Sequence, residues 1–203
     1  MAEHIGVFGG SFDPPHLGHL VASSYAQDAG EFDRLLWVPT GESYHKGGGS
    51  GTSAEHRFNM VERAVEGNES FTVSDVDVRR AGPSYTFDMV TQLRLQHPGA
   101  GITLILGADA LAGLASWHRA DELCQLVSIL GVTRADIAER QLPPAIVQQT
   151  SLRWIDIPSI GISSTYCRER VRAGLSLRYL VPNSVEEYIS ANALYSESHV
   201  LGV

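Results

Sequence analysis

Short apolar runs alternate along the chain with stretches in which apolar residues recur every three or four positions. The runs at 5–8, 35–38, 71–76, 102–106, 127–132 and 152–157 predict β-strands. Between them, positions 18–29, 54–66, 85–96, 109–116, 120–126 and 143–149 carry helical periodicity. Several of the strands are apolar throughout, as expected when helices cover both faces of a sheet. The alternation predicts an α/β fold, Rossmann-like, with a mostly parallel sheet between two helical layers. Such sheets bind ligands beyond the carboxyl ends of their strands, where the strand order reverses. Residues directly after the strands are therefore the functional candidates.

Towards the end of the chain, Pro182 to Glu187 reads as a helix start. Ser184 and Glu187 have the spacing of a capping box, and the helix is expected over about 184–193. One domain is expected over residues 1–195. It includes a small helical C-terminal part at about 160–195, and residues 196–203 form a tail. The segment 46–51, Lys-Gly-Gly-Gly-Ser-Gly, has almost no side chains to pack and predicts a mobile loop. Beside an active site such a loop serves as a lid; elsewhere it is a surface insertion.

Composition narrows the function classes. Hydrophobic residues make up 43% and charged residues 19% of 203, which excludes a disordered or fibrous chain. The formal charge is −8, so a general nucleic-acid binder is not expected. An anionic substrate would need a local cluster of donors. Cys124 and Cys167 belong to no CxxC pair and read as reduced structural thiols. No apolar run approaches the roughly 20 residues of a membrane helix. The N-terminus lacks a signal-peptide pattern, and a cytoplasmic location is expected.

The chemistry concentrates after the first strand, in Gly9-Gly10-Ser11-Phe12-Asp13-Pro14-Pro15-His16-Leu17-Gly18-His19. Two glycines let a backbone approach a phosphate closely. His16 and His19 are three apart at a helix start, which puts both imidazoles on one face beside amides that favour an anion. They are suited to donate hydrogen bonds to phosphate oxygens as charge develops. A zinc site would need a third ligand, and none lies nearby in sequence. A second segment, Gly161-Ile162-Ser163-Ser164-Thr165-Tyr166-Cys167-Arg168, opens a helix after the last strand. Ser163 or Ser164 can cap it, and Arg168, one turn on, can point back to present a fork of donors.

These two runs resemble the signatures of the nucleotidyltransferase superfamily with the HxGH motif. The resemblance implies that Gly9, Gly10, Ser11, Phe12, His16 and His19 contact ATP. It further implies that Ile162, Ser163, Ser164 and Arg168 hold its β- and γ-phosphates. His16, His19 and Arg168 are then the catalytic donors, and no covalent intermediate forms.

Four further pieces resemble the bacterial nicotinate-nucleotide adenylyltransferase family, whose reaction makes deamido-NAD in NAD biosynthesis. His45 and Lys46 follow the second strand, and Lys46 is the implied phosphate donor; this chain has Ser43 and Tyr44 where the family has Pro-Pro. Gly82-Pro83-Ser84-Tyr85-Thr86 opens a helix, and Thr86 is implied near the nicotinate; Ser84 or Thr86 reads equally as an N-cap. Gly107 and Asp109 follow the fourth strand, and the resemblance places them on the adenosine side. Trp117, before His118, is implied to stack on the pyridine ring, with Arg134 after the fifth strand reaching a ligand phosphate. Trp37 and Trp154 read as core or strand residues.

The resemblance implies ATP and nicotinate mononucleotide as ligands and Mg²⁺ accompanying ATP, with no nucleic-acid or membrane partner. Assembly into a homo-oligomer stays open. Two alternatives remain at this point. One is adenylyl transfer to another acceptor, nicotinamide mononucleotide or phosphopantetheine. The other is a catalytically silent nucleotide-binding module.

Overall fold

The computed structural model describes residues 2–41, 52–134 and 150–196. Six strands form one sheet: β1 (His4–Gly10), β2 (Arg34–Pro39), β3 (Phe71–Val73), β4 (Gly101–Gly107), β5 (Ser128–Arg134) and β6 (Leu152–Ile157). Every pairing is parallel, in the order β3-β2-β1-β4-β5-β6. The order reverses between β1 and β4, which pair side by side with Phe8 opposite Ile105. From β1 the chain turns one way to β2, and from β4 the other way to β5. The loops leaving these two strands therefore diverge and open a crevice.

Among the described residues the helices are α1 (Leu17–Gly30), α2 (Ala54–Val65), α3 (Thr86–Gln96), α4 (Ala108–Ala112), α5 (Ala120–Leu126), α6 (Ser164–Arg172) and α7 (Asn183–Ala191). A single 3₁₀ turn, Leu114–Ser116, follows α4. Alternate strand residues feed two cores. On one face Ile5, Val7, Leu36, Leu104 and Leu106 pack against α3, α4 and α5. On the other, Leu35, Trp37, Ile105 and Leu130 pack against α1 and α2. Burial on both faces is why the strands read as continuous apolar runs rather than as alternation. A third cluster joins Met60 and Ala64 of α2 to Cys167, Val185, Ile189, Leu194 and Tyr195. It seats the C-terminal helices against the sheet's helical layer.

All six expected strands are present, although the third ends at Val73 rather than running to Val76, and Trp37 is fully buried among them. Two capping expectations are corrected. Helix α7 starts at Asn183, one residue early, with Pro182 at the N-cap and no side-chain cap. Ser184 instead donates to the Arg63 carbonyl at 2.9 Å, so the capping box does not form. At α3 the N-cap is Tyr85, so neither Ser84 nor Thr86 caps that helix. The expected helix at 143–149 and the loop at 46–51 lie outside the described residues. Among the described residues no helix is long and apolar enough to cross a membrane.

Candidate active site

Helix α1 begins where the loop after β1 ends. His16 is its N-cap, with extended backbone, and its carbonyl accepts from His19 N–H at 2.9 Å. The two imidazoles stack at 3.7 Å between centroids, 26° apart. His16 N–H donates to His19 Nδ1 at 3.2 Å. A neutral His19 accepting there carries its proton on Nε2, which leaves that nitrogen as a donor. Phe12 packs edge-on against the His19 ring at 5.1 Å. Burial lowers the pKa of His16 to about 4. Burial, with His16 alongside, lowers that of His19 to about 3. Both rings are therefore neutral at neutral pH, as hydrogen-bond donors without a fixed charge. Gly18 lies between them for lack of room. A Cβ there would meet the His16 ring at 3.0 Å, with the Ile162 carbonyl 3.7 Å away.

That proximity to Ile162 reflects a direct junction of the two motifs. Ser163 caps α6 by accepting from Tyr166 N–H at 3.1 Å, which leaves Ser164 for another partner. Ser164 Oγ donates to the Pro14 carbonyl at 2.9 Å. Arg168 points back along α6, as its spacing predicts. Its Nη1 donates to the Asp13 carbonyl at 2.7 Å, and its Nη2 to Thr165 Oγ1 at 3.1 Å. Segments about 150 residues apart thus form one surface around the His16 and His19 helix start.

Two cavities flank the end of β1. The first, about 250 Å³, lies on the α3 side and is lined by Thr40, Asp77, Ser84, Thr86, Trp117 and His118, among others. Beyond the first lies a second, about 410 Å³, on the α1 side, with Phe12, His19, Gly107, Asp109, Thr133 and Ile157 on its walls. Gly9, Gly10 and Ala110 border both. Where the two meet, the backbone carries no side chain larger than a methyl group, so a ligand can cross from one face of the sheet to the other.

The smaller cavity is mainly apolar with a few directed polar groups. Tyr85 and His118 stack at 4.3 Å along its wall. Asp77 is buried; it accepts from Gly41 N–H at 3.1 Å and pairs with Arg80 at 3.1 Å. Ser84 Oγ is buried with no partner among the described residues. The first turn of α3, which begins at the cavity-lining Thr86, has no side-chain cap for its amides.

Of the sequence candidates, Gly9, Gly10, Phe12, His19, Gly107, Asp109, Thr86 and Trp117 line the two cavities, and His16, Ile162, Ser163, Ser164 and Arg168 lie at the junction of α6 with the start of α1. Ser11 contributes through its carbonyl, and the buried Phe12 supports the His19 ring. Arg134 is the last residue of β5, opposite Ile157. Lys46 and His45 lie outside the described residues.

Two residues that sequence reasoning did not single out hold the loops in place. Arg57, on α2, is 3% exposed. Its Nη1 donates to Ser11 O at 2.9 Å and Thr40 Oγ1 at 3.2 Å, and its Nη2 to Gly41 O at 2.7 Å. One guanidinium thus ties the loop after β1 to the loop after β2. Burial pulls its pKa down, while Asp13, Tyr195 and Asp77 oppose that shift. The second is Tyr195, whose hydroxyl donates to Asp13 Oδ1 at 2.7 Å. Arg57 leaves a signal in the sequence: positions 57, 60, 61, 64 and 65 form the buried stripe of α2, and a cation among them must be paired.

Residues 7–170 match the family model described as cytidylyltransferase-like. A curated relative from Saccharopolyspora erythraea is 45% identical over 95% of this chain and 90% of its own length. Another, from Salinibacter ruber, is 41% identical over 94% of this chain and 97% of its own. Each is named as a probable nicotinate-nucleotide adenylyltransferase. The chain belongs to the nicotinate-nucleotide adenylyltransferase family.

Solved structures agree on the fold. Plasmodium falciparum nicotinic acid mononucleotide adenylyltransferase, complexed with NaAD, superposes with a TM-score of 0.76 at 19% identity. It covers 95% of this chain and 97% of that one. The same enzyme complexed with APC gives 0.75.

Proposed function

We propose that this chain transfers the adenylyl group of ATP to nicotinate mononucleotide, giving deamido-NAD and pyrophosphate. The observation that carries this reading is the pair of cavities meeting at Gly9 and Gly10. The α1 side, with His19, Gly107 and Asp109, suits ATP: a carboxyl group at a strand end is placed for ribose hydroxyls. On the α3 side, an aromatic wall with uncapped amides and the Ser84 hydroxyl suits a pyridine ring bearing a carboxylate.

The mononucleotide's 5′-phosphate oxygen attacks the α-phosphorus of ATP. The bond from that phosphorus to the bridging oxygen breaks, and pyrophosphate leaves with the electron pair. In this scheme His19 Nε2–H and the His16 ring donate to the α-phosphate oxygens, and Arg168 and the α6 amides hold the departing pyrophosphate. Lys46 and Arg134 are further candidate donors to the ligand phosphates. The groups position and stabilise charge rather than form covalent bonds.

Among the described residues no group of three or more His, Cys, Asp or Glu could hold a metal ion. The described residues therefore offer no all-protein cage for Mg²⁺. In this reading the ion arrives with ATP, held by phosphate oxygens and water.

Steady-state kinetics of two variants test the assignment of sides. Trp117→Ala is expected to raise KM for nicotinate mononucleotide about tenfold or more, the effect of losing one aromatic stacking partner and its buried area. KM for ATP is expected to stay within about twofold. Asp109→Ala should show the reverse split. Both variants raising both constants equally would refute the two-sided arrangement.

A further inference from the structure

After α7 the chain makes a turn that an ordinary tail would not make. Ala193 and Tyr195 both adopt left-handed backbone, with φ of 49° and 63°. Residues with side chains rarely do so, and such conformations persist only where surrounding structure enforces them. The turn buries Leu194 to 1% exposure and Tyr195 to 7%. It brings the Tyr195 hydroxyl to Asp13, 182 residues away in sequence, as a donor at 2.7 Å. Tyr195 Oη also lies 3.8 Å from Met60 Sδ. Burial, then the facing Asp13 carboxyl group, pushes the tyrosine pKa up, so the hydroxyl keeps the proton it donates.

Asp13 is 2% exposed and sits three residues before His16. Segment 11–14 is held by four side chains. Arg57 takes the Ser11 carbonyl, Arg168 the Asp13 carbonyl and Ser164 the Pro14 carbonyl. Tyr195 takes the Asp13 side chain at Oδ1, while Arg168 Nη1 lies 3.9 Å from its Oδ2. Three of these lie within the region that matches the family model, which ends at residue 170. Tyr195 lies beyond it. A packing role alone would need only the ring; the short bond to a buried carboxyl group needs the hydroxyl.

We infer that Tyr195 is a positioning residue for adenylyl transfer: by holding Asp13 it fixes the loop that presents His16 and His19. This rests on the adenylyl-transfer reading above. Its consequence is specific to kcat. The loop carries the histidines, whereas the α3-side cavity is built from other elements.

The experiment compares wild type, Tyr195→Phe, Asp13→Asn and Asp13→Ala in pyrophosphate release with ATP, Mg²⁺ and nicotinate mononucleotide. Thermal melts are run in parallel. Tyr195→Phe keeps the ring, so its Tm should change by only a few degrees. Its kcat should fall roughly tenfold, the scale of one buried hydrogen bond to an acidic partner. KM for the mononucleotide should stay within about twofold. Asp13→Asn retains Oδ1 as an acceptor and is expected to keep several times the kcat of Asp13→Ala. It reads the same contact from the other side should Tyr195→Phe not fold. The double variant Tyr195→Phe, Asp13→Ala should be no slower than Asp13→Ala alone.

An unchanged kcat in a folded Tyr195→Phe would overturn the inference. So would equal activity of the two Asp13 variants, or multiplying effects in the double variant. Failure of the wild type itself to release pyrophosphate would instead sink the functional reading on which the inference rests.

Discussion

His19→Ala is expected to lower kcat by about 10²- to 10³-fold, the usual loss on removing one donor aimed at developing charge. KM for nicotinate mononucleotide should hardly move, because the ring borders the other cavity. The tautomer sets this role. His16 N–H occupies His19 Nδ1, so the proton sits on Nε2. Burial and the His16 neighbour keep the ring uncharged. A neutral donor stabilises a transition state whose negative charge grows without overbinding ATP in the ground state. His19→Asn, which retains an N–H donor, should recover part of the loss.

The same burial couples folding to pH. In the unfolded chain each imidazole takes up a proton near pH 6.5, whereas in the fold they do so only near pH 4 and pH 3. Between these values the unfolded state binds more protons, so stability rises with pH across that window and is lost as pH falls through it. Melting temperature should therefore drop as pH is lowered from 7 to about 4.5, and His19→Ala should flatten part of that slope. A slope identical to wild type would show that His19 is not held neutral by the fold.

Arg57→Met is expected to cost about 3–5 kcal/mol of stability, the range for removing one partner from a buried charged network. For a chain of this size that corresponds to a Tm drop on the order of 10 °C. The guanidinium serves Ser11 O, Thr40 Oγ1 and Gly41 O at once. Removing it strands acceptors on two loops that border the crevice, and it also removes a positive charge near Asp13. Arg57→Lys should rescue only part of the loss, because an ammonium group cannot span both loops as a planar fork does. Chemical denaturation of the three proteins reads this directly. A loss under about 1 kcal/mol for Arg57→Met would mean the network is dispensable.

These two cases show which parts of the molecule were legible in sequence. Local signals were enough for the strands, since a strand buried on both faces is an apolar run wherever it pairs. They were also enough for His16 and His19, whose three-residue spacing is a property of one helical turn. Arg168 could be aimed correctly because the geometry lies within α6. What local sequence could not supply was the partner. Arg168 meets Asp13 across 155 positions, and Tyr195 meets the same residue across 182. Arg57 was recognisable as a cation on an apolar stripe, but the acceptors it serves lie on two distant loops. The capping expectation at Ser184 failed for a related reason. A tertiary acceptor, the Arg63 carbonyl, took its hydroxyl, and Pro182 started the helix one residue earlier.

In the proposed reaction the crevice carries adenylyl transfer to a pyridine mononucleotide bearing a carboxylate. Pyrophosphate release tests it most directly, with ATP and Mg²⁺ and equal concentrations of nicotinate mononucleotide, nicotinamide mononucleotide or phosphopantetheine. Rapid release is expected with the nicotinate form, much slower release with the amide and none with phosphopantetheine. Equal use of both pyridine nucleotides would contradict the role given to the α3 amides and Ser84. No release with any acceptor, from protein that still binds ATP, would contradict the enzyme assignment and leave a nucleotide-binding module.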